Sequence, residues 1–178
     1  MPSYVAFLRA INLGPTRKFP KEAIRAATES IGATDVETYI NTGNVRLTTP
    51  LRSRTEVQEA LEAVYLADRG FEVPTIVFTP RELVKIAEEA DWLRSEFGEP
   101  DAHYITLYKE RPASELVAAA EGLGLEKEVC RVVGRAAHVL LLKNFHEAKL
   151  LTAKEFKRLG EGTARNVTVV RTLAEKWC

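Results

Sequence analysis

Basic, amide and glycine residues are concentrated in two short segments near the start of the chain. The first segment spans residues 9–18, and the second spans residues 41–44, which read Asn-Thr-Gly-Asn. The candidate binding residues in these segments are Arg9, Asn12, Gly14, Arg17, Lys18, Asn41, Gly43 and Asn44. Guanidinium and ammonium groups bind anions, amides orient them, and glycine lets the backbone approach a ligand closely. If the fold joins the two segments, they predict a site for a small anionic or phosphate-bearing ligand.

The neighbouring secondary structure predicts that the two segments meet. Residues 4–8 have the pattern of a strand, and Pro20 precedes a helix that ends at Gly32. Residues 36–49 alternate as a hairpin whose turn contains Gly43. A right-handed crossover leaves the first two strands pointing the same way. The first loop and the first hairpin turn then emerge at one end of the sheet, beside a helix N-terminus that favours anions.

The element order of the first part of the chain continues to a complete unit. Ser53 and Glu56 form a capping box for a helix that runs to about Gly70. Residues 73–78 then supply another strand. Residues 4–78 therefore have the order βαββαβ, which is typical of a ferredoxin-like unit.

The second part of the chain repeats this order. Its predicted elements are a strand at residues 103–108, a helix at 113–123, a hairpin at 129–142, a helix capped by Thr152 and Glu155, an extended piece near Thr163 and a last helix capped by Asn166. We therefore predict an α+β protein of two ferredoxin-like (βαββαβ) halves, residues 1–79 and 101–178, joined by a helix and linker over residues 80–100. The second half is expected to be the shorter one and to end in a C-terminal helix.

Composition excludes several classes of protein. The 178 residues are 46% hydrophobic and 28% charged, which is typical of a globular protein and not of a disordered, collagen-like or coiled-coil chain. No window approaches the roughly 20 apolar residues of a membrane span, and the first residues lack a basic leader. We therefore expect a cytoplasmic protein with no membrane partner.

Charge is balanced overall but not along the chain. Lys and Arg number 25, as do Asp and Glu, so the net charge does not indicate a nucleic-acid partner. Residues 1–25 and residues 149–178 each carry a net charge of +4. Either these ends form a basic patch that contacts nucleic-acid phosphates, or helix surfaces simply scatter charge. Residues 44–49, the third strand, contain no aromatic residue, which argues against RNA binding by base stacking.

The sequence contains no recognisable signature of other catalytic or metal-binding chemistry. His103, His138 and His146 have no metal-ligand spacing, and the chain contains neither a G-x-S-x-G elbow nor a P-loop. Cys130 and Cys178 form no C-x-x-C pair and are expected to be free thiols. We therefore expect no metal and no cofactor, and the sequence leaves open whether the protein is an enzyme.

Four motifs, FLRAINLG, RKFP, TYINTGNV and TARN, resemble those of a bacterial protein family, domain of unknown function 1697. The family pattern is roughly L-R-G-I-N-V-G-G, a basic residue before a proline-led helix, T-Y-I-Q-S-G-N-V, and T-x-R-N-W-N-T-V near the C-terminus. Arg165 and Asn166 match the last motif. Ala10 and Pro15 stand where the family has glycine, and Val167 stands where it has tryptophan. The resemblance implies two ferredoxin-like halves and no particular reaction or cofactor.

The leading hypothesis assigns a role to each kind of candidate residue. Arg9 makes a bidentate contact with the anion, the three asparagine amides orient it, and the other two cations of the first loop add positive field. Arg165, with its neighbour Asn166, joins the site if the second half folds over it.

Three alternatives to this hypothesis are open. An enzyme could take its catalytic groups from both halves, with Tyr39 or a carboxylate in the cleft between them. A non-catalytic module could use an open sheet face to form a homodimer. The leading hypothesis, in contrast, is compatible with either a monomer or a homodimer. Arg9, Asn12 and Asn44 could instead be architectural, with Arg9 bonded to carbonyls between the halves, so that the three side chains pair backbone groups that would otherwise be unpaired.

Overall fold

Residues 1–142 and 148–178 are described by the structure, which is a computed structural model. The chain divides into two units, which we call unit 1 (Met1–Leu83, with Trp177) and unit 2 (Val84–Lys176, with Cys178). His146 lies outside the described residues. Each unit contains one four-stranded antiparallel sheet, so the protein is of the α+β class, as predicted.

Unit 1 has the element order βαββαβ. Its elements are β1 (Ser3–Leu8), α1 (Lys21–Glu29), β2 (Thr34–Thr38), β3 (Asn44–Thr48), α2 (Arg54–Arg69) and β4 (Thr75–Phe78). The strands lie in the order β2-β3-β1-β4, and each neighbouring pair is antiparallel. Because β1 and β2 are both antiparallel to β3, they run in the same direction. The segments that follow β1 and β2 therefore leave the sheet at one end.

Local sequence signals account for the second helix and the core of unit 1. Ser53 caps α2 in a capping box with Glu56, and Gly70 ends the helix in the left-handed region at φ 78°. One face of the sheet packs with α1 and α2. Every second residue of β1 contributes to this core, namely Tyr4, Ala6 and Leu8.

Unit 2 has a second sheet with the same topology. It takes most of α3 (Pro80–Phe97), followed by β5 (Ala102–Tyr108), α4 (Ser114–Glu121), β6 (Glu128–Val133), β7 (Ala136–Leu141), a 3₁₀ helix (Leu150–Thr152), α5 (Lys154–Lys157), β8 (Gly162–Asn166) and α6 (Val167–Trp177). The strand order is β6-β7-β5-β8, with antiparallel neighbours. The two predicted βαββαβ halves are thus supported in broad outline.

The expectation that the second half is the shorter one fits its second helix but not its first strand, because α5 has four residues where α2 has 16, and β5 has seven where β1 has six. One detail predicted for unit 2 is wrong. Thr152 does not cap α5, because its hydroxyl donates to the carbonyl of Lys149 at 3.1 Å within the preceding 3₁₀ turn. Asn166 does cap α6, since its side chain accepts from the N–H of Thr168 at 2.9 Å.

Three expectations from the sequence concern membrane-spanning helices, the two cysteines and metal sites. Across residues 1–142 and 148–178, no helix is both long enough and apolar enough to cross a membrane. Cys130 is buried and Cys178 is exposed, and both are free thiols, as predicted. Within the same ranges, no three His, Cys, Asp or Glu side chains lie together in the way that a metal site requires.

Candidate functional site

In unit 1, the loop between β1 and α1 (residues 9–20) lies beside the turn between β2 and β3 (residues 39–43). The backbone N–H of Leu8 donates to the carbonyl of Gly43 at 2.8 Å, which ties the turn to the end of β1. The N–H of Tyr39 donates to the carbonyl of Asn44 at 3.1 Å and closes the hairpin. The two segments that carry most of the candidate residues therefore share one end of the sheet.

Asn12 joins the loop to the turn through its side-chain amide. Nδ2 donates to the carbonyl of Phe19 at 3.0 Å and to the carbonyl of Asn41 at 2.7 Å. Oδ1 accepts from the N–H of Phe19 at 2.8 Å. Both amide hydrogens are thus used within the protein, so Asn12 shapes the site instead of donating to a ligand. This bonding matches the architectural interpretation of Asn12.

Gly43 and Asn44 fix the shape of the turn. A β-carbon at Gly43 would lie 2.7 Å from Leu8 Cβ and 2.9 Å from Ile11 Cδ1, and the residue has φ 88°. Space and backbone angle therefore both require glycine at this position. Asn44 is buried, and its Nδ2 donates to the carbonyl of Tyr39 at 2.9 Å. The two residues hold the turn in place from behind its exposed surface.

Two arginines bind the loop to other parts of unit 1. Arg17 donates through Nε to a carbonyl within the loop and through Nη2 to the carbonyl of Glu72, each at 2.6 Å. Its guanidinium carbon lies 4.6 Å from the centroid of the Phe71 ring. Arg69 of α2 donates to the carbonyl of Lys18 at 3.3 Å. The charge of Arg17 is therefore used to hold the loop against the segment before β4.

The loop, the start of α1 and the turn surround a cavity of about 830 Å³. The cavity is lined by Asn12, Gly14, Lys18, Phe19, Pro20, Lys21, Thr38, Tyr39, Ile40 and Asn41. Lys18 and Lys21 are exposed, and neither ammonium group has a carboxylate partner in residues 1–142 and 148–178. Two such cations on one concave surface create a local positive potential that attracts anions.

The first turn of α1 adds backbone donors beside the lysines. Pro20 is the N-cap residue, and no side chain caps the helix there. The N–H of Ile24 donates to the carbonyl of Pro20 at 3.0 Å, which is the first bond of the helix. The N–H groups before Ile24 have no partner within the helix, and the helix dipole reinforces the positive potential.

Phe19 anchors the cavity wall to the core of unit 1. Its ring is fully buried and meets the ring of Tyr65 edge-on, with 5.2 Å between the centroids. The Tyr65 hydroxyl lies 2.7 Å from Thr28 Oγ1. Burial raises the pKa of Tyr65 above its ordinary value, so its phenol stays neutral. This part of the wall is therefore apolar and tightly packed.

Backbone strain is concentrated around the cavity. Six non-glycine residues have positive φ in the part of the chain that the structure describes, and four of them belong to the loop or the turn, namely Ala10, Asn12, Arg17 and Ile40. Ile40 has φ 52° although it is β-branched, and it is 45% exposed. Such strain persists only where surrounding contacts impose it, and it is common at functional sites.

The structure brings together only part of the predicted site. Four predicted residues line the cavity, namely Asn12, Gly14, Lys18 and Asn41. Three more support the walls without lining them, namely Arg17, Gly43 and Asn44. The wall residues absent from the predicted binding site are Phe19, Pro20, Lys21, Thr38, Tyr39 and Ile40, of which Tyr39 was named only as a possible catalytic group. The predicted helix start at Pro20 was the available signal for Lys21, whereas nothing in the sequence marks Ile40.

Arg9 does not line the cavity. Its backbone N–H donates to the carbonyl of Pro74 at 2.9 Å, in line with the pairing of β1 and β4. Strand alternation assigns Leu8 to the sheet face that packs with α1 and α2, so Arg9 belongs to the opposite face. Arg9 is therefore close to the loop residues in the chain but separate from them at the cavity.

Arg165 and Asn166 lie in unit 2, at the end of β8. Arg165 is 6% exposed and donates to Thr163 Oγ1 at 2.7 Å and to the carbonyl of Ala164 at 3.0 Å. Burial lowers the pKa of Arg165 to about 10. The Asn166 side chain caps α6. These bonds are local to unit 2, and neither residue lines the cavity of unit 1.

A buried histidine pair, which the sequence did not predict, connects β5 and β7 in unit 2. His103 Nε2 lies 3.1 Å from His138 Nδ1, and the residues are 2% and 0% exposed. The other nitrogen of each ring has no hydrogen-bond partner among the described residues. Burial and the nearby charges of His138, Arg94 and Arg171 lower the pKa of His103 to about 3. Burial lowers the pKa of His138 to about 4, so both rings are neutral at pH 7.

Fold and cavity define an α+β protein with two four-stranded antiparallel sheets and a cavity of small-molecule size in unit 1. The chain belongs to the family described as "Protein of unknown function (DUF1697)", whose model matches residues 1–138, as the first three motifs predicted; the fourth motif, TARN, lies outside the matched residues. It is similar to the solved structure of the conserved bacterial protein SP0830 from Streptococcus pneumoniae, with a TM-score of 0.76 and 21% identity over 98% of this chain and 97% of that one. This likeness shows the fold alone. No curated protein matches the chain.

Two departures from the family pattern, Ala10 and Pro15, fall in the loop between β1 and α1. Ala10, which stands where the pattern has glycine, adopts φ 57°. An L-residue in this region costs about 1–2 kcal/mol. The loop of this chain therefore keeps a conformation suited to glycine without having glycine there.

Proposed function

We propose that the protein binds a small phosphate-bearing anion in the cavity of unit 1. The observation that carries this proposal is the pair Lys18 and Lys21, which line one cavity and have no carboxylate partner among the described residues. The donors in the first turn of α1 add to the attraction. The volume of about 830 Å³ lies in the range of small-molecule sites, which is roughly 300–1,000 Å³.

The residues around the cavity divide between contact and support. Lys18 and Lys21 neutralise the charge of the anion, while the side chains of Thr38 and Asn41 form hydrogen bonds to the rest of the ligand. Asn12 and the other supporting residues hold the walls before the ligand arrives. A wall that is already ordered loses little conformational entropy on binding, and this favours affinity.

Isothermal titration calorimetry of the full chain with ribose 5-phosphate and pyrophosphate tests the proposal. The double variant Lys18→Gln/Lys21→Gln is expected to bind both compounds at least about tenfold more weakly, because hydrogen bonds to charged groups contribute about 1.5–3 kcal/mol each. The matched control Lys85→Gln/Lys157→Gln removes two exposed lysines of unit 2 and is expected to bind like the wild type. Arg9→Ala is also expected to bind normally, in contrast to the sequence hypothesis.

The results that contradict the proposal are clear. Equal affinities for the wild type and the Lys18→Gln/Lys21→Gln variant would show that the cavity lysines do not hold the anion. If neither ribose 5-phosphate nor pyrophosphate bound at millimolar concentrations, the proposal would also be contradicted. Where binding occurs, its affinity should decrease as the salt concentration rises, because salt screens the attraction between exposed charges, with a Debye length of about 10 Å at 0.1 M ionic strength.

The proposal has further parts. Each unit is a ferredoxin-like fold, which the βαββαβ element order and the two strand orders support. Residues 1–79 and 101–178 form the two halves, and residues 80–100 connect them. The protein acts in the cytoplasm as a monomer or a homodimer, which light scattering of the full chain distinguishes. A nucleic-acid phosphate is the alternative source of the anion.

A further inference from the structure

The cavity wall in unit 1 has two chemically different parts. The part from the loop and α1 carries the cations Lys18 and Lys21. The part that follows β2 carries Tyr39 and Ile40, with Asn41 beside them. Ile40 keeps a large apolar side chain on the surface in a strained backbone conformation, where glycine or asparagine would relieve the strain. An anion alone does not account for this apolar part.

The size of the cavity also exceeds what an anionic group needs. A volume of about 830 Å³ accommodates a molecule of many atoms, whereas a single phosphate group would contact only the cationic part. The ligand therefore has a body that extends from its phosphate toward Tyr39 and Ile40.

The polar residues on the second part restrict the nature of that body. Thr38 and Asn41 line the cavity next to Tyr39, and their side chains have no hydrogen-bond partner among the described residues. A purely hydrocarbon body would remove these groups from water without pairing them, which is costly. A flat ring with polar edges suits the site better, since its face covers the tyrosine ring and its edges bond to the hydroxyl and the amide.

We infer that the ligand is a nucleoside 5′-monophosphate, with its phosphate at Lys18 and Lys21 and its base against Tyr39 and Ile40. This inference rests on the proposed function and specifies its ligand. The same chemistry is present in a free nucleotide and in the 5′-phosphorylated end of a nucleic acid, and the experiment separates these two sources.

Calorimetry of the full chain with AMP, ribose 5-phosphate, adenosine and a 5′-phosphorylated oligoadenylate provides the test. AMP is expected to bind about tenfold more tightly than ribose 5-phosphate, which corresponds to about 1.4 kcal/mol from base stacking. Tyr39→Leu is expected to remove this advantage and to leave the affinity for ribose 5-phosphate unchanged. Tyr39→Phe keeps the ring and is expected to keep the advantage. Circular dichroism of both variants checks that they fold.

Each result has a definite meaning. Equal affinities for AMP and ribose 5-phosphate, unchanged in Tyr39→Leu, would overturn the inference while leaving the proposed function standing. Adenosine binding as tightly as AMP would instead overturn the proposed function, because the phosphate would contribute nothing. An oligoadenylate that binds more tightly than AMP, with the same loss in Tyr39→Leu, supports the inference with a nucleic-acid end as the source. Tighter binding of AMP than of the oligoadenylate, with the same loss in Tyr39→Leu, supports the inference with the free nucleotide as the source.

Discussion

Acidification from pH 7.5 to pH 5.0 is expected to destabilise unit 2 through its buried histidine pair. The pKa values of His103 and His138 are lowered in the folded protein to about 3 and about 4, whereas the ordinary value is 6.5. Between pH 6.5 and pH 4 the unfolded chain therefore binds protons that the folded chain does not. Stability rises with pH wherever the unfolded state binds more protons, so the contribution of the pair is complete above pH 6.5 and is lost as the pH falls.

The size of the effect follows from the structure. Each pH unit below the unfolded pKa costs about 1.4 kcal/mol for a histidine that stays neutral in the fold. At pH 5.0 the interval is about 1.5 units, so each histidine costs about 2 kcal/mol and the pair costs about 4 kcal/mol. This is a large fraction of the roughly 5–15 kcal/mol that stabilises a typical domain.

Urea unfolding at several pH values measures this loss in the wild type and in His103→Leu/His138→Leu. Replacing both partners by apolar residues leaves no unpaired nitrogen, so the variant should fold. Between pH 7.5 and pH 5.0, the free energy of unfolding of the wild type should decrease by about 4 kcal/mol more than that of the variant. Amide hydrogen exchange in β5 and β7 assigns the change to unit 2. Identical pH dependence in the two proteins would refute the reasoning, because all other titrating groups are common to both.

Urea unfolding also tests three predictions for the cavity walls. Gly43→Ala should cost about 3 kcal/mol or more, because the new β-carbon would collide with two side chains at a residue with positive φ. Gly14→Ala should cost only about 1 kcal/mol, because Gly14 also has a positive φ of 105° but open space around it. Similar costs at the two glycines would contradict the role of the turn. Asn12→Ala should cost about 2–3 kcal/mol through three lost hydrogen bonds, and a loss under 0.5 kcal/mol would show that they contribute little. Ala10→Gly should stabilise the protein by about 0.5 kcal/mol by relieving its backbone strain, and a destabilised variant would contradict this.

The convergence of the loop and the turn could be predicted because it depends on few variables. Hairpin alternation on either side of Gly43 and a proline-led helix at Pro20 are local signals. The direction of the second strand then follows from the handedness of the crossover. The structure has this arrangement, with the loop and the turn bonded to each other through Asn12.

The identity of the contacting side chains could not be predicted in the same way. Arg17 does not line the cavity, because its guanidinium bonds to the carbonyl of Glu72. Its φ of 57° has no signal in the sequence either. Arg9 is placed by the strand pleat, which chain proximity does not reveal. The pairing of His103 with His138 depends on the register of two strands that are far apart in sequence.

The walls of the cavity separate two kinds of position. Gly43, Asn44 and Arg17 bond to the backbone or fill space behind the surface, so changes there disturb folding. Lys21 and Tyr39 line the cavity, and their side chains make no such bond within the described residues. The second kind of residue can therefore change while the frame stays intact, so under the proposed function a shared fold does not require a shared ligand.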